Sequence, residues 1–456
     1  MNIDFRSECV LEVKRKYGLV TSISMIVGIV IGSGIFFKSN SVLEHTKGNV
    51  GLGVLAFVIA AIAIIFGSLT LAELALRTDK EGGIIAYAEE ALGRKGAIVF
   101  GWFQSFVYFP SVITMLGFVI GSYICVLMGW PAHLMLQIGI GLAVLSLILV
   151  MNFFSAKYAG YFQNAAVIIK LIPLLTISVV GLFFSNPDFS LLTNFSTMAT
   201  DTSWVGAIAP IAFIYDGWSV ATNISHEIKD VKRNLPLALI IAPLFVLAVY
   251  LMYFIGLSFL IGPDQILAAG TEHVNIAMNL IFGPLGSKIL LVVIIVSIMG
   301  GANGMLLSNT RTLYVLGKNN MMPFSKKLSQ ISERFNTPTF ASVVAIGLIT
   351  VWSTLHYFTT KYRWLGNSDV SEISVVTVYI LFTVLYIYVI HLRRKKIITS
   401  NIRGYVIPCM AILGSFIMLY GGMQSPMFIL YSVLSLMSMV IAYIYALITE
   451  KPIKTK

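Results

Sequence analysis

Apolar runs of roughly 18 to 28 residues, parted by short polar stretches, occupy most of the chain, and each could cross about 30 Å of hydrocarbon as a helix. They predict twelve transmembrane helices, over residues 19–44, 51–76, 96–126, 133–151, 155–184, 203–225, 235–262, 285–316, 339–357, 370–391, 405–421 and 427–448. An even number of spans puts both termini on the same side. Residues 1–17 are polar and the first apolar run is full length, so it is expected to remain as a span rather than to be cleaved as a leader.

Two of these runs carry a defect. The first contains Gly28-Ile-Val-Ile-Gly-Ser-Gly-Ile-Phe-Phe37, with three glycines in seven residues, a poor sequence for an unbroken helix. If the helix opens near Gly32, Ser33 and Gly34, a second half-helix begins there with unpaired N–H groups and the positive end of its dipole, both suited to a carboxylate. The alternative is an intact helix in which Gly28 and Gly32 form a small-residue contact face. The sixth run reads Pro210-Ile-Ala-Phe-Ile-Tyr-Asp-Gly-Trp218, and Asp216-Gly217 is a turn dipeptide in mid-span.

These positions correspond. Spans one to five (19–184) and six to ten (203–391) overlay as two blocks of five, the second starting from the opposite side, with 405–448 left as two further helices. An inverted repeat whose halves each begin with a broken helix is the plan of secondary transporters, which bind substrate where the breaks meet. The matching interruptions favour a central site over simple glycine packing.

Composition and charge then set class and orientation. Hydrophobic residues make up 57% of the chain and charged residues 11%, against roughly a quarter charged in a soluble domain, so the chain is an all-α integral membrane protein. The net charge of +11 does not point to nucleic acid, because the basic residues sort by loop. About 24 of the 31 lie on the side of the termini, five (Lys38, Lys47, Lys288, Lys361, Arg363) on the other, and Lys157 and Lys170 within a span. By the positive-inside rule both termini are cytoplasmic and the membrane is the cell membrane. Cys9, Cys125 and Cys409 form neither a disulfide framework nor a metal spacing, the histidines make no metal motif, and no nucleophile–base pair or phosphate loop stands out. An enzyme, a cofactor or a metal is therefore not expected.

Four motifs in order, Gly32-Ser-Gly-Ile-Phe36, Glu81-Gly-Gly83 with Tyr87, Tyr215-Asp-Gly-Trp218 and Glu227-Ile-Lys-Asp-Val-Lys-Arg-Asn-Leu-Pro236, resemble the L-amino acid transporter family of the amino acid, polyamine and organocation superfamily. Within that family the chain looks like a bacterial alanine-serine-cysteine exchanger. The resemblance implies a LeuT-like five-plus-five inverted repeat with helices 1 and 6 unwound at mid-membrane, and exchange of small neutral L-amino acids without sodium by alternating access. A proton-coupled symporter is the rival within transport. A non-transporting receptor or subunit is the rival outside it, although no soluble domain or signalling tail supports one.

A zwitterion needs two complementary backbone ends. N–H groups of Ser33, Gly34 and Ile35, beyond Gly32, are expected to hold the carboxylate. The resemblance assigns the ammonium to carbonyls of Val30, Phe213 and Asp216, beside Gly217, and has the Phe213 ring cover the site from outside. The Asp216 carboxylate either selects cationic substrates or caps the second half-helix. Lys157 either snorkels to the headgroups or, as the resemblance implies, replaces a sodium ion by donating to carbonyls near Gly28. Lys170, thirteen residues or roughly 20 Å further along a helix, is expected to be structural. Glu73 could latch a cytoplasmic gate or pair with Arg77. Asn303 is a possible pocket group, with small-residue packing as its alternative. The walls that choose the substrate side chain are expected from spans three, eight and ten, without named residues. Eukaryotic members of the family join an ancillary glycoprotein through a cysteine in the loop after span three. Here 127–133 contains none, so no covalent partner is expected and the carrier is read as a monomer in the lipid bilayer.

Overall fold

The computed structural model describes residues 18–449 except 33, 79, 81, 155, 186, 194–201, 220–227, 333–336, 365–369 and 425–427. It describes the backbone alone at 25, 29, 153, 154, 156–167, 271, 287, 290, 372, 373, 376 and 431. The described residues form helices and no strand. In chain order these are α1 (Leu19–Val30), α2 (Gly34–His45), α3 (Val50–Ala75), α4 (Ile84–Phe103), α5 (Phe109–Met128), α6 (Leu134–Phe154), α7 (Ala156–Phe183), the short α8 (Ser190–Thr193) and α9 (Ile208–Ile214). There follow α10 (Val231–Ile261), α11 (Pro263–Ala269), α12 (His273–Lys318), the short α13 (Ser325–Leu328), α14 (Thr339–Lys361), α15 (Val370–Arg394), α16 (Ile407–Met423) and α17 (Phe428–Thr449).

Among the described residues nine helices are long and apolar enough to cross a membrane. Shorter apolar helices at Leu19–Gly28, Ile168–Phe183 and Ser203–Ile214 fall on the first, fifth and sixth predicted spans. The third is longer than its apolar run: α4 begins at Ile84, turns at Gly93 (φ +73°), and continues through a wide turn at Gln104–Tyr108 into α5. Likewise α12 bends at Gly283 (φ +66°) and Pro284, which separates an outer segment from the span beginning at Leu291.

Helix starts and stops follow local chemistry. The Asn49 side chain accepts the Leu52 N–H at 3.0 Å and caps α3. Gly129, at φ +66°, ends α5 in the left-handed conformation that costs only glycine nothing. Around the centre, α1 packs on α10, α10 on α3 and α7, and α7 on α12, while α9 lies among α2, α15 and α16. This arrangement brings the interruption between α1 and α2 up against the end of α9.

With lipid as solvent, helices gain little from hiding apolar side chains from one another, so close approach of backbones does much of the work. The α7–α10 crossing depends on it: a Cβ built on Gly181 would lie 1.9 Å from the Gly256 carbonyl oxygen. Gly181→Leu is expected to lower the melting temperature in detergent and the monodisperse yield. Gly139→Leu on α6 is the control, since a Cβ there meets nothing within 4 Å, and should preserve both. Equal behaviour of the two variants would show that the crossing does not need its glycine.

Candidate functional site

The first predicted break is present. α1 ends at Val30, where the Ile31 N–H still reaches the Val27 carbonyl at 2.8 Å, but the Gly32 N–H turns back to the Val30 carbonyl at 2.6 Å. In a continuous helix that N–H would go to Gly28, so the turn orphans the Gly28 carbonyl. The second break matches it. α9 stops at Ile214, Tyr215 and Asp216 bond back to Ile211 and Phe213 at 3.0 and 3.1 Å, and Gly217 takes φ +95°. The Ile214 carbonyl thereby loses its helical donor.

Two side chains take up the orphaned carbonyls. Lys170, on α7 and 1% exposed, donates its ammonium to the Gly28 carbonyl. The Tyr250 hydroxyl, on α10, lies 2.9 Å from the Val30 carbonyl and 3.1 Å from that of Ile214. With one proton to give, it ties the ends of both broken helices to a single buried point. Edge contacts with Tyr215 at 5.2 Å and Phe57 at 6.4 Å hold its ring.

Two expectations change here. The lysine at Gly28 is Lys170, not Lys157. With Lys170 in place, Lys157 lies roughly 20 Å away along the same helix, and its side chain falls outside the described residues. Second, the Val30 carbonyl is not free for an ammonium, because Gly32 and Tyr250 occupy both of its lone pairs. The Phe213 carbonyl likewise accepts from two N–H groups, those of Tyr215 and Asp216.

On the outer side, Gly34 opens α2 directly against α9. A Cβ there would sit 3.1 Å from the Ile214 Cα and 3.2 Å from the Phe213 ring. Ile35 is fully buried beside it, and Ser33 lies outside the described residues. Phe213 is gripped from α2, with Phe37 edge-on at 5.7 Å and the Lys38 ammonium 5.2 Å from the ring centroid. Lys38, expected as an outer-loop charge, is instead 3% exposed.

Asp216 has a partner that sequence reasoning did not find. One carboxylate oxygen accepts a hydrogen bond from the Tyr108 hydroxyl, at the end of the wide turn between α4 and α5. The other, Oδ2, is buried and has no hydrogen-bond partner among the described residues. The half-helix that Asp216 was expected to cap falls in 220–227, outside them. Tyr379 on α15 stands beside the pair. With Trp218 and Phe382, whose rings lie 5.3 Å apart, it forms an aromatic wall. Tyr108 from span three and Tyr379 and Phe382 from span ten thus stand near the second break, residues that the sequence reading left unnamed.

Other candidates resolve as packing or surface groups. Glu73 pairs with Arg77 at 2.7 Å and faces Arg403 at 3.8 Å. Asn303 accepts from Asn152 at 2.9 Å, joining α12 to α6. Close packing does not explain Gly301, where an added Cβ meets nothing within 4 Å. Among the described residues no cluster of three or more His, Cys, Asp or Glu could hold a metal ion.

The family model for amino acid permease matches residues 17–449. The chain belongs to the amino acid permease family. This permease is 32% identical over 413 residues to the serine/threonine exchanger SteT of Bacillus subtilis, covering 89% of this chain and 90% of that protein. It is 29% identical over 350 residues to the human b(0,+)-type amino acid transporter 1 (74% and 69% covered). With the human cystine/glutamate transporter the figure is 26% over 375 residues (78% and 72%). The permease is thus a multi-pass membrane transporter and not an enzyme, and amino acid antiport is the activity its relatives support.

Proposed function

We propose that this permease is a sodium-independent antiporter of small neutral L-amino acids of the alanine, serine and cysteine type. It works by alternating access in the cell membrane, with twelve transmembrane helices in a LeuT-like five-plus-five fold (19–184 and 203–391, then 405–448) and cytoplasmic termini. It acts as a monomer. The observation that carries the reading is the meeting of two helix breaks, one in each half, at the Tyr250 hydroxyl.

The start of α2, from Gly34 and Ile35, offers a substrate carboxylate its N–H groups and dipole, with the Ser33 N–H as a third donor. The ammonium goes to carbonyls at the ends of α1 and α9, displacing Tyr250 from Val30. Asp216 and Gly217 shape the floor. Substrate then ties α1 and α2 to α9, so the loaded carrier closes readily while the empty one crosses reluctantly. That asymmetry makes an exchanger. Lys170, whose side-chain nitrogen donates to the Gly28 carbonyl, supports sodium independence by taking the place a cation would occupy there. Small substrates suit the ring wall of Trp218, Phe382 and Tyr379. Cys125 is buried, which supports a carrier without a disulfide-linked partner.

Counterflow in proteoliposomes tests the reading. Labelled alanine should enter only when unlabelled amino acid is trapped inside, at a rate unchanged when sodium replaces potassium. Equal uptake into empty vesicles would remove exchange. Accumulation driven by an imposed pH gradient would replace it with proton symport.

A further inference from the structure

The turn between α15 and α16 carries a charge pattern that the transport site does not use. His391-Leu-Arg-Arg-Lys-Lys-Ile-Ile-Thr-Ser-Asn-Ile-Arg403 holds five Lys and Arg, and the chain has no Asp or Glu between Glu372 and Glu450. Elsewhere basic and acidic residues mix. Arg77 pairs with Glu73 at 2.7 Å and Lys80 with Glu89 at 2.9 Å, while Lys229, Lys232 and Arg233 flank Asp230. The positive-inside bias accounts for basic loops in general. It does not call for one that is free of acids.

The turn is also built rather than loose. It joins the spans Thr377–Arg394 and Ile402–Met423, which places it at the membrane boundary. α15 ends where the Lys396 N–H returns to the Arg393 carbonyl at 2.9 Å and the Ile397 N–H to that of Leu392 at 3.0 Å, with Lys396 at φ +61°. The Arg393 guanidinium is engaged inside the turn. It donates to Asn401 Oδ1 at 3.0 Å and to the Ile398 carbonyl at 3.2 Å, and lies 5.6 Å from the Tyr405 ring centroid. Gly404 packs on the same side chain so closely that an added Cβ would meet it at 2.5 Å. This brings Arg403 back beside the basic run, and Arg394, Lys395, Lys396 and Arg403 are all exposed. Among them Ile397 and Ile402 are 54% and 63% exposed. Cations interleaved with apolar side chains at a bilayer boundary suit a lipid, whose phosphate meets the charges while its chains cover the isoleucines. A soluble anion would leave the isoleucines in water.

We infer that this turn binds the phosphate of anionic phospholipids through Arg394, Lys395, Lys396 and Arg403, with Ile397 and Ile402 seated among the acyl chains. Arg393 takes no part in the contact and instead shapes the turn. Arg403 also faces Glu73 at 3.8 Å, so a lipid bound here holds the start of α16 beside the end of α3. The site is independent of which amino acid the carrier moves.

Thermal unfolding of the purified full-length carrier, titrated with lipid, provides the test. Short-chain phosphatidylglycerol should raise the melting temperature, and phosphatidylcholine of the same chain length should not. The rise should shrink in about 1 M sodium chloride, where the screening length falls to about 3 Å. Arg394→Gln/Lys395→Gln/Lys396→Gln should weaken the apparent affinity for phosphatidylglycerol about 100-fold, from roughly fivefold for each charge at an anionic surface. Lys229→Gln/Lys232→Gln/Arg233→Gln removes the same charge from a loop that contains an acid, and should keep the wild-type response. Equal losses in the two variants would overturn the inference, because net charge alone would then account for the binding. Inorganic phosphate that stabilises wild type as well as phosphatidylglycerol would overturn it too, in favour of a soluble anion. Should the first variant not fold, the comparison of the two lipids and inorganic phosphate on wild type decides alone.

Discussion

Lys170→Met should abolish most amino acid exchange, while Lys157→Met should leave it close to wild type. Methionine keeps much of the lysine volume and removes the ammonium, so packing of α7 against its neighbours survives and the change falls on the Gly28 carbonyl. That carbonyl is an orphan created by the helix break, and leaving it buried without a donor costs about 1–3 kcal/mol. If the cost falls on the state in which α1 is opened and docked against α7, the population of that state drops by about 5- to 150-fold. Initial-rate counterflow measures it, with maximal rate expected to fall more than apparent affinity because the lysine touches the helix and not the substrate. Lys170→Ala makes a sharper version, since it vacates the place that a cation would take. Stimulation of that variant by sodium, absent in wild type, would identify the ammonium as a built-in ion. Wild-type exchange by Lys170→Met would reduce the contact to a local tie. Equal losses at both lysines would move attention to the cytoplasmic end of α7.

The contrast between those two lysines marks how far the residues could be read in order. Both breaks were legible, because Gly32-Ser-Gly34 and Asp216-Gly217 are main-chain signals that act locally and need no knowledge of neighbours. The apolar runs are legible for the same reason: hydrocarbon thickness sets a length that any span must meet. Which side chain faces which break depends instead on helix rotation, and lipid leaves that weakly encoded. A residue facing lipid and one facing another helix are both apolar here, so no polar stripe reveals the inward face. Lys157, close to the end of its run, resembled the motif more than Lys170 did. Yet Lys170 stands in the middle of Val167-Ile-Ile-Lys-Leu-Ile172, where a charge has no snorkelling route, and that depth was the usable signal. Tyr250 and Tyr108 carried a weaker one, a hydroxyl in an apolar helix. The partners of both lie more than thirty positions away in the chain.

Gly34→Val should eliminate both substrate binding and exchange while the protein remains folded. The two half-sites touch at this residue. A Cβ at Gly34 would meet the Ile214 Cα at 3.1 Å and the Phe213 ring at 3.2 Å. The ring can swing, but the Ile214 backbone can yield only by moving α9 away from α2. Alanine therefore asks for a few tenths of an ångström, and valine, with two further carbons, for a real separation. Separation has a direct consequence for a zwitterion, because its carboxylate and ammonium are fixed a short distance apart and cannot stretch to span a widened gap. Tyr250 faces the same limit, its single hydroxyl now reaching both Val30 and Ile214. The graded expectation is partial loss in Gly34→Ala and loss of at least 100-fold in Gly34→Val, the latter with no shift in melting temperature on adding serine or alanine. Gly32→Ala is the informative comparison, since its Cβ would meet only the Val30 oxygen at an ordinary 3.7 Å. A milder defect there than in Gly34→Ala would show that spacing between the halves, rather than glycine flexibility along the first break, sets the requirement. The reverse order would mean that the first break must flex during transport and that the approach of α2 to α9 tolerates a wider gap.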